Sequence, residues 1–61
     1  MENSIMLSVR IDYKHQGKDP QHELTAANMV LRSAFPTIEN GVEIERVEAY
    51  NHGEQVLNFI K

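Results

Sequence analysis

The run from Ser4 to Lys14 constrains the fold of this chain more than any other segment. Apolar and polar residues alternate along the whole run, and a period of two is typical of a β-strand with one buried face and one largely polar face. The sequence therefore predicts a first strand over residues 4–14. The apolar positions are Ile5, Leu7, Val9, Ile11 and Tyr13, and the positions between them are Met6, Ser8, Arg10, Asp12 and Lys14.

A helix is predicted after the polar connection that follows this strand. Asp19 and Pro20 match an N-cap residue followed by proline at the first helical position, so the helix should begin near Pro20. Pro36 disfavours helical geometry at Phe35, and the helix should therefore end at Phe35. A helix of this length can cover one face of a small sheet.

The apolar residues of the helix indicate which of its sides faces the sheet. They recur at spacings of three and four, which is the period of an α-helix. Leu31 lies on the central turn of this stripe, so we expect it to pack against Leu7 and Val9 of the first strand. The predicted stripe consists of Leu24, Ala27, Leu31 and Ala34, widened by Val30 and Phe35.

Two further strands are predicted in the C-terminal part of the chain. Asn40-Gly41 is a turn signal, and apolar residues alternate with polar ones over 42–49. The phase of the alternation shifts by one position at Arg46, so we predict a β-bulge near Arg46. A turn over 51–54 then leads into a third strand over 55–61. The bulge would keep four apolar side chains on one face of the sheet: Val42, Ile44, Val47 and Ala49.

These elements predict a single domain over residues 1–61 of the α+β class, with the order β-α-β-β. A three-stranded sheet would be covered on one face by the single helix. Two arrangements satisfy a right-handed crossover between the first and second strands. The two strands pair directly, or the third strand lies between them and runs antiparallel to both. Because the third strand is apolar on both faces, we prefer the spatial order 1-3-2.

The size and composition of the chain predict a homodimer. A domain of about 60 residues buries only about 60% of the surface of its unfolded chain. The sequence contains no cysteine, so neither a disulfide nor a thiolate-bound zinc can stabilise it. One helix covers only one face of the sheet. Met6 and one apolar pair of the third strand, either Val56 with Ile60 or Leu57 with Phe59, should therefore lie on an uncovered face. We expect a second copy or another protein to cover that face.

The sequence also favours a cytoplasmic protein without a membrane partner. No stretch is long or apolar enough to span a bilayer, and the first residues lack the basic start and apolar run of a signal peptide. The formal net charge is −3 at pH 7, and residues 39–54 contain five glutamates and only one base. Such a surface attracts basic partners and repels phosphate backbones, so we expect no nucleic acid among the partners.

The leading functional hypothesis is a non-enzymatic interaction module, which acts as an adaptor or inhibitor of a basic protein partner. Small acidic regulators of this kind occur in bacteria and their phages, which is an analogy of size and charge. The sequence shows no catalytic constellation and no motif that would bind a cofactor or a metal ion. The residues predicted to bind the partner are Met6, Glu43, Glu45, Glu48, Tyr50 and His52.

Two alternative functions remain at this point. The open sheet face could bind nucleic acid if Tyr13 and Tyr50 lay together near a sheet end and stacked on bases. A histidine-based metal site would form if parallel first and second strands brought the three histidines to one end of the sheet. These histidines are His15, His22 and His52.

Overall fold

The computed structural model describes residues 2–61, which form one helix and four strands. All strands belong to one antiparallel sheet, and the helix packs on one of its faces. We call the face that carries the helix the inner face and the opposite one the open face. The α+β class is confirmed. The elements are β1 (Ser8–His15), α1 (His22–Leu31), β2 (Ile38–Glu39), β3 (Val42–Asn51) and β4 (Glu54–Ile60).

The central strand of the sheet is β3. Its register with β1 runs from Ser8 opposite Tyr50 to His15 opposite Val42, while β4 and β2 share the other edge of β3. The predicted order 1-3-2 is therefore wrong, because the C-terminal strand lies at an edge. The turn at residues 52–53 makes β4 the hairpin partner of β3. Since β1 and β3 are antiparallel, no crossover of either hand is needed.

The predicted bulge in β3 is confirmed. The register between β1 and β3 passes from Asp12 opposite Arg46 to Tyr13 opposite Ile44, so Glu45 has no partner in β1. The extra residue corrects the phase of the strand. Four side chains consequently point to the inner face and are buried there: Val42, Ile44, Val47 and Ala49.

The helix presents a different side to the sheet from the one predicted. Ala26 and Met29 are buried, whereas Leu24 and Leu31 are exposed, so Leu31 does not pack on the first strand. Two sets of residues in α1 share the helical period, because Ala26 and Met29 are also separated by three positions. Periodicity cannot rank these two sets. The partly buried residues that complete the core are Ile11, Tyr13, Val30, Phe35 and Phe59.

The helix is also shorter than predicted at both ends. Asp19 accepts hydrogen bonds from the Gln21 backbone N–H, at 2.9 Å, and from the Thr25 hydroxyl, at 2.6 Å. These bonds hold the entry to α1, which begins at His22. Beyond Leu31 the chain turns away at Ser33, whose φ is 55°. No helix within residues 2–61 has the length and apolar character needed to cross a bilayer.

Candidate functional site

The open face carries the glutamates that the sequence predicts as binding residues. Glu45 pairs with Lys14 at 3.1 Å, Glu48 with Arg46 at 3.3 Å, and Glu43 with Lys61. Lys14 of β1 and Lys61, which follows β4, therefore balance two of these acids, and Arg46 of β3 itself balances the third. The charged residues placed on this face by the strand registers and ion pairs balance to zero: Arg10, Lys14, Arg46 and Lys61 against Asp12, Glu43, Glu45 and Glu48.

The remaining predicted binding residues do not form one cluster. The hydroxyl of Tyr50 donates a hydrogen bond to Glu48, and this bond raises the pKa of Tyr50 above its ordinary value. His52 is exposed in the turn between β3 and β4, with a φ of 51°, and Met6 is exposed in the segment before β1. Tyr13 lies on the inner face, opposite Ile44, and does not share a surface with Tyr50.

The inner face is only partly covered. The ten residues of α1 extend about 15 Å, at about 1.5 Å per residue, whereas the ten residues of β3 extend about 33 Å. The helix packs over the half of the sheet where β3 begins. At the other half, Val9 and Leu57 lie on either side of Ala49 and are 53% and 46% exposed.

We call the exposed apolar residues at this end the distal patch: Leu7, Val9 and Leu57. Sequence reasoning expected exposed apolar surface on the face without the helix. That expectation is confirmed for one apolar pair of β4, because Val56 and Ile60 are 54% and 59% exposed on the open face. The side chains of β1 and β3 on that face are mostly charged. The exposed apolar residues on the open face are Ile38, Val56 and Ile60. The distal patch is a consequence of the short helix, whose ends the sequence alone did not define.

The outer edge of β1 lies beside this patch. Within residues 2–61, β1 pairs with β3 alone, so its other edge has no strand partner. Residues 4–7 continue the alternation of β1 but are not part of a strand. Ser8 lies opposite Tyr50, and β3 ends one residue later, at Asn51. Unpaired strand edges present backbone N–H and C=O groups that can pair with another chain.

The histidines divide between the two ends of the sheet. His15 and His22 stack with ring centroids 4.0 Å apart, and the Tyr13 hydroxyl lies 2.6 Å from Nδ1 of His22. His52 lies at the opposite end, because β1 and β3 are antiparallel. The expectation that all three histidines meet at one end is therefore wrong. Near the stacked pair, the hydrogen bond from Thr25, followed by that from the Gln21 backbone, lowers the pKa of Asp19.

The stacked pair has an unfavourable geometry for binding one metal ion. The lone pair of an imidazole nitrogen lies in the plane of its ring, and the two ring planes are within 2° of parallel. A single ion cannot lie in two parallel, separated planes at once. Among the described residues no group of three or more potential ligands surrounds a common point.

An open cleft of about 460 Å³ lies between the β1–α1 connection and the β2–β3 turn. It has one base, Lys18, and one acid, Asp19, and its remaining lining residues are Gln16, Pro20, Asn40 and Gly41. Neither charged residue is buried. The cleft therefore does not provide a desolvated group for catalysis.

No family model, no curated protein and no solved structure matches this chain. The features from which a function can be argued are therefore those of the molecule itself: a small α+β domain, a sheet half covered by its helix and a free edge on β1. Its function is argued from these surfaces.

Proposed function

We propose that this protein is a non-enzymatic interaction module, an adaptor or inhibitor that binds a partner protein through the distal patch. The observation that supports the proposal is the partial cover of the inner face, which leaves Val9 and Leu57 about half exposed beside a buried Ala49. Apolar side chains that adjoin one another on a surface usually mark an interface. Burial of this area would stabilise a complex by about 25 cal/mol per Å² before the costs of association.

The charges favour a basic partner. Because the ion-paired charges of the open face balance, the net charge of −3 arises from the rest of the chain. Glu54 lies opposite Asn51. This is the next inward-facing pair after Ala49 and Leu57, so Glu54 adjoins the distal patch. Glu2 is in the segment that leads into β1. A complementary protein would present apolar side chains flanked by lysine or arginine.

Nucleic acid is a poorer ligand for this molecule. The bases on the open face do not outnumber its acids. The tyrosine on this face, Tyr50, donates a hydrogen bond to Glu48. Phosphate binding needs a surplus of positive charge. We also propose a cytoplasmic location, which suits a chain without cysteine.

Capture from a lysate of the source cells tests the proposal, with nuclease and chelator controls. The wild-type protein and two variants serve as bait: L57D places a charge in the distal patch, and L24D places one at an exposed position in the first turn of α1. An acidic residue is favourable near a helix N-terminus, so L24D should keep the fold. A partner should bind the wild type and L24D, and L57D should lose at least tenfold in affinity. Equal capture by L57D would overturn the proposal.

A further inference from the structure

We infer that two copies of this chain pair along the outer edges of β1, antiparallel to each other, about a two-fold axis that passes through Val9. The sheet then continues from one copy into the other. This self-association goes beyond the proposed function, because it places a second copy of the chain along the backbone edge of β1. It uses Leu7 and Val9 of the distal patch but not Leu57, on which the test of partner binding depends.

The segment before β1 is the first reason for this arrangement. Residues 4–7 continue the alternation of the strand but have no strand partner in the described chain. An axis through Val9 pairs residues 4–14 of one copy with residues 14–4 of the other, so the whole alternating run has a partner. Eleven cross-strand pairs would form about ten backbone hydrogen bonds.

The apolar side chains are the second reason. A two-fold axis normal to the sheet keeps the inner faces of both copies on the same side. Val9 then lies opposite Val9 of the second copy, Leu7 opposite its Ile11, and Ile5 opposite its Tyr13. Directly opposite side chains interact most strongly in a sheet. Ile5, Leu7 and Val9 are all exposed in the single chain, so each gains an apolar neighbour.

The charges of β1 are compatible with this register. On the open face, Arg10 lies opposite Ser8 of the second copy, Asp12 opposite its Met6, and Lys14 opposite its Ser4. The ion pairs of Arg10 with Asp12 and of Lys14 with Glu45 can remain intact. Edge strands often carry charges that prevent such pairing, but here no two like charges meet.

Registers with the axis nearer the C-terminal end of β1 are less favourable. An axis through Arg10 sets Arg10 against itself, and an axis through Asp12 sets Asp12 against itself. Like charges directly opposite each other destabilise a sheet. An axis through Ile11 sets Arg10 against Asp12, which is electrostatically favourable. However, it leaves Ile5 opposite Gly17 of the turn rather than an apolar side chain.

Charge variants at the axis test the inference in sedimentation equilibrium at micromolar concentration. The wild type and V9T, which keeps a β-branched side chain, should be dimers. V9D and V9K should each be folded monomers, because the two new charges would face each other across the axis. An equimolar mixture of V9D and V9K should dimerise again. A monomeric wild type, a dimeric V9D or a mixture that stays monomeric would overturn the inference.

Introduced cysteines measure the register independently, because the natural sequence contains none. In the Val9 register the two cysteines of V9C lie directly opposite, within the Cα separation of about 4.4 to 6.8 Å that a disulfide allows. Those of I11C lie about 14 Å apart, at about 3.4 Å per residue along the strands. Mild oxidation should therefore cross-link V9C and leave I11C monomeric on a denaturing gel. Cross-linking of I11C alone would overturn the Val9 register.

These experiments separate the two proposals. A monomeric wild type that captures its partner through Leu57 would overturn the dimer and leave the proposed function standing. A wild-type dimer that captures no partner would leave the self-association standing and overturn the proposed function.

Discussion

Met29 and Leu31 lie on opposite sides of α1, and Met29 is completely buried whereas Leu31 is 81% exposed. Truncation of Met29 removes core contacts and leaves a cavity against β3. We therefore expect M29A to lower the free energy of unfolding by about 2 to 5 kcal/mol, which is a large part of the stability of so small a domain. Urea unfolding followed by circular dichroism measures this change.

L31A is the matched control for M29A, since both variants place alanine in the last turns of the same helix. The side chain of Leu31 buries little surface, so L31A should alter the free energy of unfolding by less than about 0.5 kcal/mol. A loss of stability in L31A equal to that in M29A would contradict the orientation of α1 described above.

Deletion of Glu45 tests the bulge in β3. Without Glu45 the apolar residues on both sides of Arg46 alternate in a single phase, so the four inward side chains stay on the inner face. We expect this deletion variant to fold and to keep the amide chemical-shift dispersion of the wild type in a heteronuclear NMR spectrum.

Deletion of Glu43 is the matched control. It moves Val42, which is fully buried, to the opposite face of the strand, because a shift of one position exchanges the two faces. Exposure of this side chain should cost about 1.5 to 3 kcal/mol. If the two deletions had equal effects on stability, the bulge would not be what sets the phase of β3.

Asp19 should make the fold sensitive to acid. Hydrogen bonds from Thr25 and from the Gln21 backbone hold the pKa of Asp19 below its usual value of 3.8. Because the folded pKa is lower than the unfolded one, the stabilisation is complete above about pH 3.8 and is lost as the pH falls through the folded pKa. D19N should therefore lose less stability than the wild type in this acid range.

Urea unfolding at neutral pH and at several values below pH 4 measures this dependence. E23Q provides the control, because Glu23 is exposed in the first turn of the same helix. Among the described residues, none forms a hydrogen bond with the Glu23 side chain. E23Q should follow the wild-type acid dependence. An unchanged acid dependence in D19N would show that the hydrogen bonds to Asp19 do not stabilise the entry to α1.

Tyr50 should ionise only at unusually high pH. The bond from its hydroxyl to Glu48 raises the pKa of Tyr50 above 10.0. The chain has two tyrosines, so Y13F leaves Tyr50 as the one tyrosine whose absorbance can be titrated. The midpoint in Y13F should lie above 10.0 and should fall when E48Q is added.

The same bond links folding stability to pH. Since the folded pKa of Tyr50 is the higher one, the stabilisation is present below about pH 10 and is lost as the pH rises through the folded pKa. Y50F should lack this loss in alkaline urea titrations. If the titration midpoint of Tyr50 in Y13F lay at or below the ordinary tyrosine pKa of 10.0, Tyr50 would not form the hydrogen bond with Glu48.

The bulge and the helix illustrate how much of this fold a sequence can predict. The change of phase at Arg46 is a local property of β3, and a β-strand has only two faces, so one bulge is the simple way to keep the apolar residues together. In α1, two overlapping sets of apolar residues fit the helical period equally well. Contact with the sheet decides that Met29 rather than Leu31 is buried, and the sequence does not show where the sheet lies.

The candidate site follows the same division. The first strand was a prediction from the alternation of residues 4–14, whereas its free edge and the distal patch were not. The free edge depends on the strand order, and the distal patch depends on where a ten-residue helix ends above a longer strand. The pairing of Glu45 with Lys14 and of Glu43 with Lys61 also required the strand order. The sequence alone suggested an unbalanced acidic surface.

The sequence by itself determined the class of the fold, the bulge in β3 and the alternating faces of β1, because these depend on neighbours within one element. The tertiary structure alone decided the strand order, the side of α1 that is buried and the separation of His52 from His15 and His22. Those features depend on contacts between elements far apart in the chain, where one choice of partner strand reverses which ends of the sheet meet.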